Sequence, residues 1–189
     1  MIIVRLARAF LLLCIFTSHA WAASGTLYIG TDQNYWYPFS YSDNGVAKGM
    51  HIDIVADALT NLKYDFTFTP RPWKRCLKDA EQGVFDAVVS ASYKPERAKY
   101  LLYPLDVPET KKSRWRIMQV EYVVISSSKS NYKFVGDLTT LPTPVRAPLG
   151  YSIIDDLKSV CIEVITAPDI RRSLKQLINT GRGVVVTVY

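Results

Sequence analysis

The 189-residue chain is 49% hydrophobic and 21% charged, with a formal net charge of +6. That mild excess, with no basic run interleaved with aromatics, argues against a nucleic-acid surface, and the densest cluster (Lys111, Lys112, Arg114, Arg116) reads as a solvated hinge region. Beyond the first 22 residues His51 is the lone histidine and Cys76 and Cys161 are the two cysteines, too little for a His/Cys metal site or a histidine-based triad.

Residues 1–22 read as a cleaved export signal. Arg5 and Arg8 form its positive start, Phe10 to Phe16 its apolar core, and Ala20-Trp21-Ala22 its cleavage site. The apolar run is well short of the roughly 20 residues a bilayer requires, and no later segment is long or apolar enough to span one. Loss of two arginines and no acids takes the formal charge from +6 to about +4.

Thr26 to Gly30 reads as a short buried strand ending at Thr31-Asp32, followed by an aromatic loop. His51 to Leu62 carries Ile52, Val55, Ala56 and Leu59 at helical spacing. Tyr64, Phe66 and Phe68 alternate as in a strand. Trp73 to Glu81 is a second helix stopped by Gly83, and Ala87 to Val89 is the next strand. A boundary near Arg116 precedes a strand over Gln119 to Ile125. A second α/β unit then runs through a strand at Val145 to Ala147, a helix at Ser152 to Lys158 and a strand at Cys161 to Ile165. It ends with a helix at Ile170 to Asn179 and a strand at Val184 to Val188. Strands alternating with helices predict parallel sheets covered on both faces.

The most informative stretch is Gly83 to Tyr100. A helix stops at glycine, a buried strand follows Asp86, and that strand runs out into Ser90 and Ser92, with Arg97 five residues later in Pro-Glu-Arg-Ala. In open α/β sheets ligands bind beyond the carboxyl ends of strands. A planar guanidinium there matches the two oxygens of a carboxylate. Tyr35 and Trp73 are candidates for aromatic walls of such a cleft, with Trp36 and Tyr37 read as rim or core. Gly150-Tyr151-Ser152 opens a helix, where free backbone N–H groups can meet an anion.

This ordered set resembles the extracellular solute-binding proteins of family 3, the polar amino-acid receptors of bacterial ABC transporters, from about Thr26 to the last residue. The resemblance implies a two-lobed α/β periplasmic binding protein of type II (Venus-flytrap), incomplete at its C-terminus. It implies a signal at 1–22, a first lobe at 23–116 and a second at 117–189. It also implies that Ser92 and Arg97 hold a ligand carboxylate, that the Ser90 carbonyl meets an amino group, and that Asp32 receives an ammonium. Tyr35 and Trp73 would flank the ligand, and Gly150, Tyr151 and Ser152 would meet it from the second lobe.

Two departures stand out. Tyr151 replaces a small hydroxyl residue, and Tyr189 occupies the place of an aspartate for the α-ammonium, which puts strict amino-acid recognition in doubt. The family's final return segment is absent after Gly181-Arg182-Gly183 and Val184 to Val188. The expectation is therefore a shortened chain or an uncovered apolar sheet edge. The two lobes would each keep one buried free thiol, Cys76 and Cys161.

The implied function is capture of a small carboxylate-bearing solute in the periplasm for an ABC permease of the inner membrane. No catalytic residue, cofactor, metal or nucleic-acid partner is expected. Two alternatives stay open: a ligand-sensing module for a membrane signalling partner, and a dehydratase-like enzyme on the same fold.

Overall fold

The computed structural model describes residues 25–110 and 112–188. The export signal at 1–22 and the position of Tyr189 lie outside the described residues, as does Lys111.

The first sheet has the order β4-β1-β5, with β1 at Leu27–Asp32, β4 at Phe66–Arg71 and β5 at Ala87–Val88, all parallel. β1 is central, and Ile29, Gly30 and Thr31 are buried in it. A residue in the middle of a covered parallel sheet meets packing on both faces. At Gly30 that packing admits no side chain, since an added Cβ would stand 2.6 Å from the Phe85 ring. Helix α1 (Met50–Asn61) covers one face through Ile52 against Ile29 and Val89. Helix α2 (Trp73–Glu81) covers the other, gathering Trp73, Cys76, Leu77 and Phe85. Asp79 is buried in α2 and paired with Arg75 at 2.7 Å.

Between β1 and α1 the structure has an antiparallel hairpin, β2 (Tyr41–Asp43) and β3 (Val46–Lys48), where the sequence reading has only a loop. Asn44 and Gly45 turn it with φ of 49° and 80°, the left-handed pair that suits a tight hairpin.

The second sheet has the order β6-β9-β7-β8: β6 Tyr122–Ser126, β7 Val145–Pro148, β8 Val164–Ala167 and β9 Val184–Val188. β9 runs antiparallel to β6 and parallel to β7. Its β-branched run is buried on both faces, with Val184, Val185 and Val186 at 0%, 0% and 1% exposure. Helix α3 (Ile153–Ser159) packs through Ile153, Ile154 and Leu157. Helix α4 (Ile170–Thr180) starts where Asp169 accepts the Arg172 N–H at 2.8 Å and stops at left-handed Gly181. Arg146 is buried in β7 and donates to the carbonyl of Arg182 and to Thr180 Oγ1, which ties the end of α4 to the sheet.

Gly183 fixes the entry of β9. Its φ is 76°, and a Cβ there would stand 2.0 Å from the Pro144 carbonyl oxygen, which also accepts the Val184 N–H. Gly183→Ala is therefore expected to cost more than about 3 kcal/mol, through both a strained conformation and a backbone clash. Urea unfolding of the variant checks this, and a loss below about 1 kcal/mol would show that the loop yields.

Among the described residues the two cysteines, Cys76 and Cys161, are free. Cys76 is buried, with its thiol donating to the Thr31 carbonyl at 3.2 Å, and burial beside Asp32 pushes it up to about 12. Cys161 corrects the sequence reading: it is exposed, because α3 ends at Ser159 and Cys161 falls in the left-handed turn beyond it, with φ of 60°. Among the described residues no helix is long and apolar enough to cross a membrane.

Candidate functional site

A cavity lies between the two sheets, beyond the carboxyl ends of β1 and β5. Asp32, Trp36, Ser40, Trp73, Ser90, Ser92 and Arg97 line it from the first unit; Val120, Tyr122, Tyr151, Ser152 and Val188 line it from the remainder of the chain.

Arg97 sits in a short 3-10 turn at Arg97–Lys99 and is only 7% exposed. One amino group of its fork donates to the Ser92 carbonyl at 3.0 Å and the other to the Gly150 carbonyl at 2.9 Å. Those bonds use two of its five N–H donors, and no carboxylate pairs with it among the described residues. Tyr103 donates to the same Ser92 carbonyl at 3.0 Å, while burial holds its hydroxyl up to about 12.

Asp32 ends the central strand. Its Oδ1 accepts the Asn34 backbone N–H at 3.1 Å; its Oδ2 accepts the Asn34 side chain at 3.3 Å and the Tyr151 hydroxyl at 3.4 Å. These bonds favour the ionised form, but burial outweighs them and pushes the carboxyl up to about 6. Burial and the charge of Asp32 likewise raise the Tyr151 hydroxyl well above its ordinary range. Tyr151 packs against the cores of both sheets.

Ser90 turns the chain after β5 with a left-handed φ of 67°, uncommon for a residue with a side chain. Its hydroxyl meets His51 Nδ1 at 2.7 Å. His51, at the start of the helix that the spacing predicts, is 3% exposed. Burial lowers its pKa, so at neutral pH it is the uncharged partner of Ser90. Ser152 is buried, with its hydroxyl 2.8 Å from that of Tyr122.

Of the nine residues expected at the site, seven line this cavity: Asp32, Trp73, Ser90, Ser92, Arg97, Tyr151 and Ser152. Gly150 contributes through its carbonyl to Arg97 rather than as a wall. Its φ of 86° and the absence of a side chain let that loop approach the first turn of α2, where a Cβ would lie 3.3 Å from the Lys74 backbone.

Tyr35 is a correction. It is 59% exposed, stacks on Tyr37 at 6.0 Å, and borders a separate groove with Asn34, Ser42 and Arg171. Trp36 takes the cavity wall instead. Along this extended loop side chains alternate, so Tyr35 and Tyr37 share the outer side and Trp36 turns inward against His51, with ring centroids 5.3 Å apart. The pairing of Trp36 with Ser40 holds that orientation.

Lys94 pairs with Asp156, and the Asn34 side chain donates to the Pro168 carbonyl at 3.4 Å. With Arg97 to Gly150 and Tyr151 to Asp32, these contacts tie the two units together around the cavity.

No curated protein matches the chain in sequence. Among solved structures it is similar to an ancestral amino acid-binding protein, a precursor of cyclohexadienyl dehydratase. The TM-score is 0.67 and the identity 23%, over 87% of this chain and 71% of that one. It is also similar to holo ArgBP from T. maritima (TM-score 0.69, 15% identity, 87% and 69% covered). A third likeness is to a histidine kinase sensor domain with similarity to periplasmic binding proteins (TM-score 0.68, 15% identity, 87% and 68% covered). At these identities the likeness is one of fold: the mixed α/β, two-lobed periplasmic binding protein architecture. Residues 27–112 match the family described as bacterial extracellular solute-binding proteins, family 3.

Proposed function

We propose that the protein is a periplasmic receptor that captures a small carboxylate-bearing solute for an ABC importer of the inner membrane. The lobes would be residues 23–116 and 117–189, and the cleft between them would close on the solute. The supporting observation is Arg97: a buried guanidinium without a carboxylate partner among the described residues, on the wall of a cavity built from both sheets. A buried cation is costly until an anion pairs with it, and a carboxylate fits the fork on two oxygens. Trp36 and Trp73 supply apolar faces for the rest of the solute. Contacts from both lobes give the closed form a higher affinity for solute, which shifts the population toward it.

A thermal-shift panel of amino acids and small organic acids tests this reading. A ligand at about 100 times its Kd adds about 2.7 kcal/mol, roughly 5–10 °C for a chain of this length. At least one carboxylate is expected to produce such a shift, and a flat panel overturns the proposal. Solute entry should also alter tryptophan fluorescence. Trp36→Phe and Trp73→Phe should each diminish the change, whereas Trp115→Phe should keep it, because Trp115 is 67% exposed and lies outside the cavity.

The similarity to a kinase sensor domain supports a second reading, in which the same closure signals to a membrane partner instead of loading a permease. Co-purification with a permease or with a membrane kinase separates the two.

A further inference from the structure

We propose that His51 is a positioning residue for solute binding: its ring holds the left-handed Ser90 turn against the loop that carries Trp36 and Ser40, and so fixes the wall that the first unit presents to the cavity. This inference rests on the solute-binding reading above and names a residue that keeps that site in shape.

Two stretches far apart in sequence contribute to this wall, the loop with Trp36 and Ser40 and the turn with Ser90 and Ser92. His51 is bonded to both. Its backbone N–H donates to the Phe39 carbonyl at 2.9 Å, beside a bond from the Met50 N–H to the Pro38 carbonyl at 3.0 Å. The first turn of α1 thus directs its free donors at the loop. The fit there is close, since an added Cβ at Gly49 would stand 2.6 Å from the same Phe39 carbonyl oxygen. The His51 ring continues the contact, with its centroid 5.3 Å from that of Trp36 and 5.6 Å from that of Phe39. Its Nδ1 then meets the Ser90 hydroxyl at 2.7 Å.

The turn is where such a contact is needed. A residue with a side chain keeps a φ of 67° only where its surroundings over-determine it. Two residues on, the Ser92 carbonyl accepts from Arg97 and Tyr103, so a displaced turn would carry the guanidinium with it. The imidazole is also a poor choice for packing alone. It is buried, and its Nε2 has no partner among the described residues. A buried polar atom without a partner is destabilising, and a phenyl ring would fill the space beside Trp36 and Phe39 without one. What imidazole adds is the Nδ1 bond to Ser90.

Two substitutions divide these roles. His51→Phe keeps an aromatic ring beside Trp36 and loses the bond. His51→Asn places an amide close to where Nδ1 stands and gives up much of the packing. Calorimetry at pH 7.5, where burial keeps His51 uncharged, uses four probes: L-arginine, L-glutamate, L-leucine and glutarate. For each probe that the wild type binds, His51→Phe is expected to weaken binding about ten-fold or more, with Tm within about 3 °C of wild type. His51→Asn should bind within about three-fold of wild type while its Tm falls by more than about 5 °C. Because His51 acts through Ser90, adding His51→Phe to a Ser90→Ala protein should change affinity by less than about two-fold. Affinity that survives in His51→Phe, or that falls as far in His51→Asn, overturns this inference and leaves the solute-binding reading standing. So does a further ten-fold loss when His51→Phe is added to Ser90→Ala. A wild type that binds none of the four probes overturns both.

Discussion

Lysine at position 97 is expected to weaken solute binding by at least about a hundred-fold and to lower stability by about 2–3 kcal/mol. Both effects follow from the fork. Its two amino groups reach carbonyls contributed by opposite sides of the cavity, Ser92 and Gly150, at 3.0 and 2.9 Å. A lysine ammonium is a compact point charge and cannot span both while presenting a flat face to a carboxylate. Hydrogen bonds to charged groups are worth about 1.5–3 kcal/mol each, so losing one accounts for the stability change. The remaining Gly150 carbonyl would then be left without its partner across the cleft. Affinity loss follows from the missing bidentate pair and from the loosened Gly150 loop, which carries Tyr151 and Ser152 into the site. Calorimetry with the best ligand from the panel, alongside urea unfolding, reads the two effects separately. An Arg97→Lys protein that binds within three-fold of wild type would remove Arg97 from the solute's path and leave it a structural clamp.

The lobe architecture was legible because its punctuation is strong. Helix α2 runs Trp73–Glu81 and β9 runs Val184–Val188, as the spacing predicts, between Pro72 and Gly83 in one case and after Gly183 in the other. The hairpin at Tyr41–Lys48 was overlooked although Asn44-Gly45 carries a hairpin signature; its strands are three residues each, too short for alternation to register. Around the cavity, Ser90, Ser92 and Arg97 stand out in the local pattern after a strand end, whereas Asp32 is singled out only by the family resemblance; all four line the cavity. The choice of Tyr35 over Trp36 failed on a parity: one extended loop offers two opposite faces, and only its pairing to Ser40 decides which face is inward. Val120, Tyr122 and Val188 were out of reach for a different reason. They line the cavity because β6 and β9 pair antiparallel, with Tyr122 opposite Val188, a tertiary fact with no local signature. His51 shows the same limit: its spacing marks a helix start, but the 2.7 Å contact with Ser90 joins residues 39 apart.

The Asp32→Asn protein should be more stable than wild type at neutral pH, and the gain should fade in acid. Folding moves this carboxyl from its ordinary value of 3.8 up to about 6, chiefly through burial. Between those two values the folded chain holds a proton that the unfolded chain has released, so stability falls as pH rises through the window. Above about pH 6 the full cost of the buried charge is present, on the order of 3 kcal/mol. Asparagine carries no charge and keeps one acceptor oxygen, enough for either the Asn34 N–H or the Tyr151 hydroxyl, which bond to different oxygens of Asp32. The net gain at pH 7.5 should therefore be about 1–3 kcal/mol, roughly 3–10 °C in Tm at this chain length. As pH drops from 6 toward 4 the wild-type carboxyl becomes neutral in the fold, and the two proteins should converge. His51 works in the opposite sense, since its lowered pKa makes the fold lose stability as pH falls below about 6.5. Both proteins carry His51, so their difference at each pH isolates Asp32. A pH series of urea unfolding curves for the pair makes the measurement. A destabilised variant at pH 7.5, or a gain that persists undiminished at pH 4, would mean that the fold uses the charge of Asp32 rather than tolerating it. A gain of that size at pH 7.5, fading in acid, would mark Asp32 as a carboxylate kept for the cavity it shares with Arg97 and not for the fold.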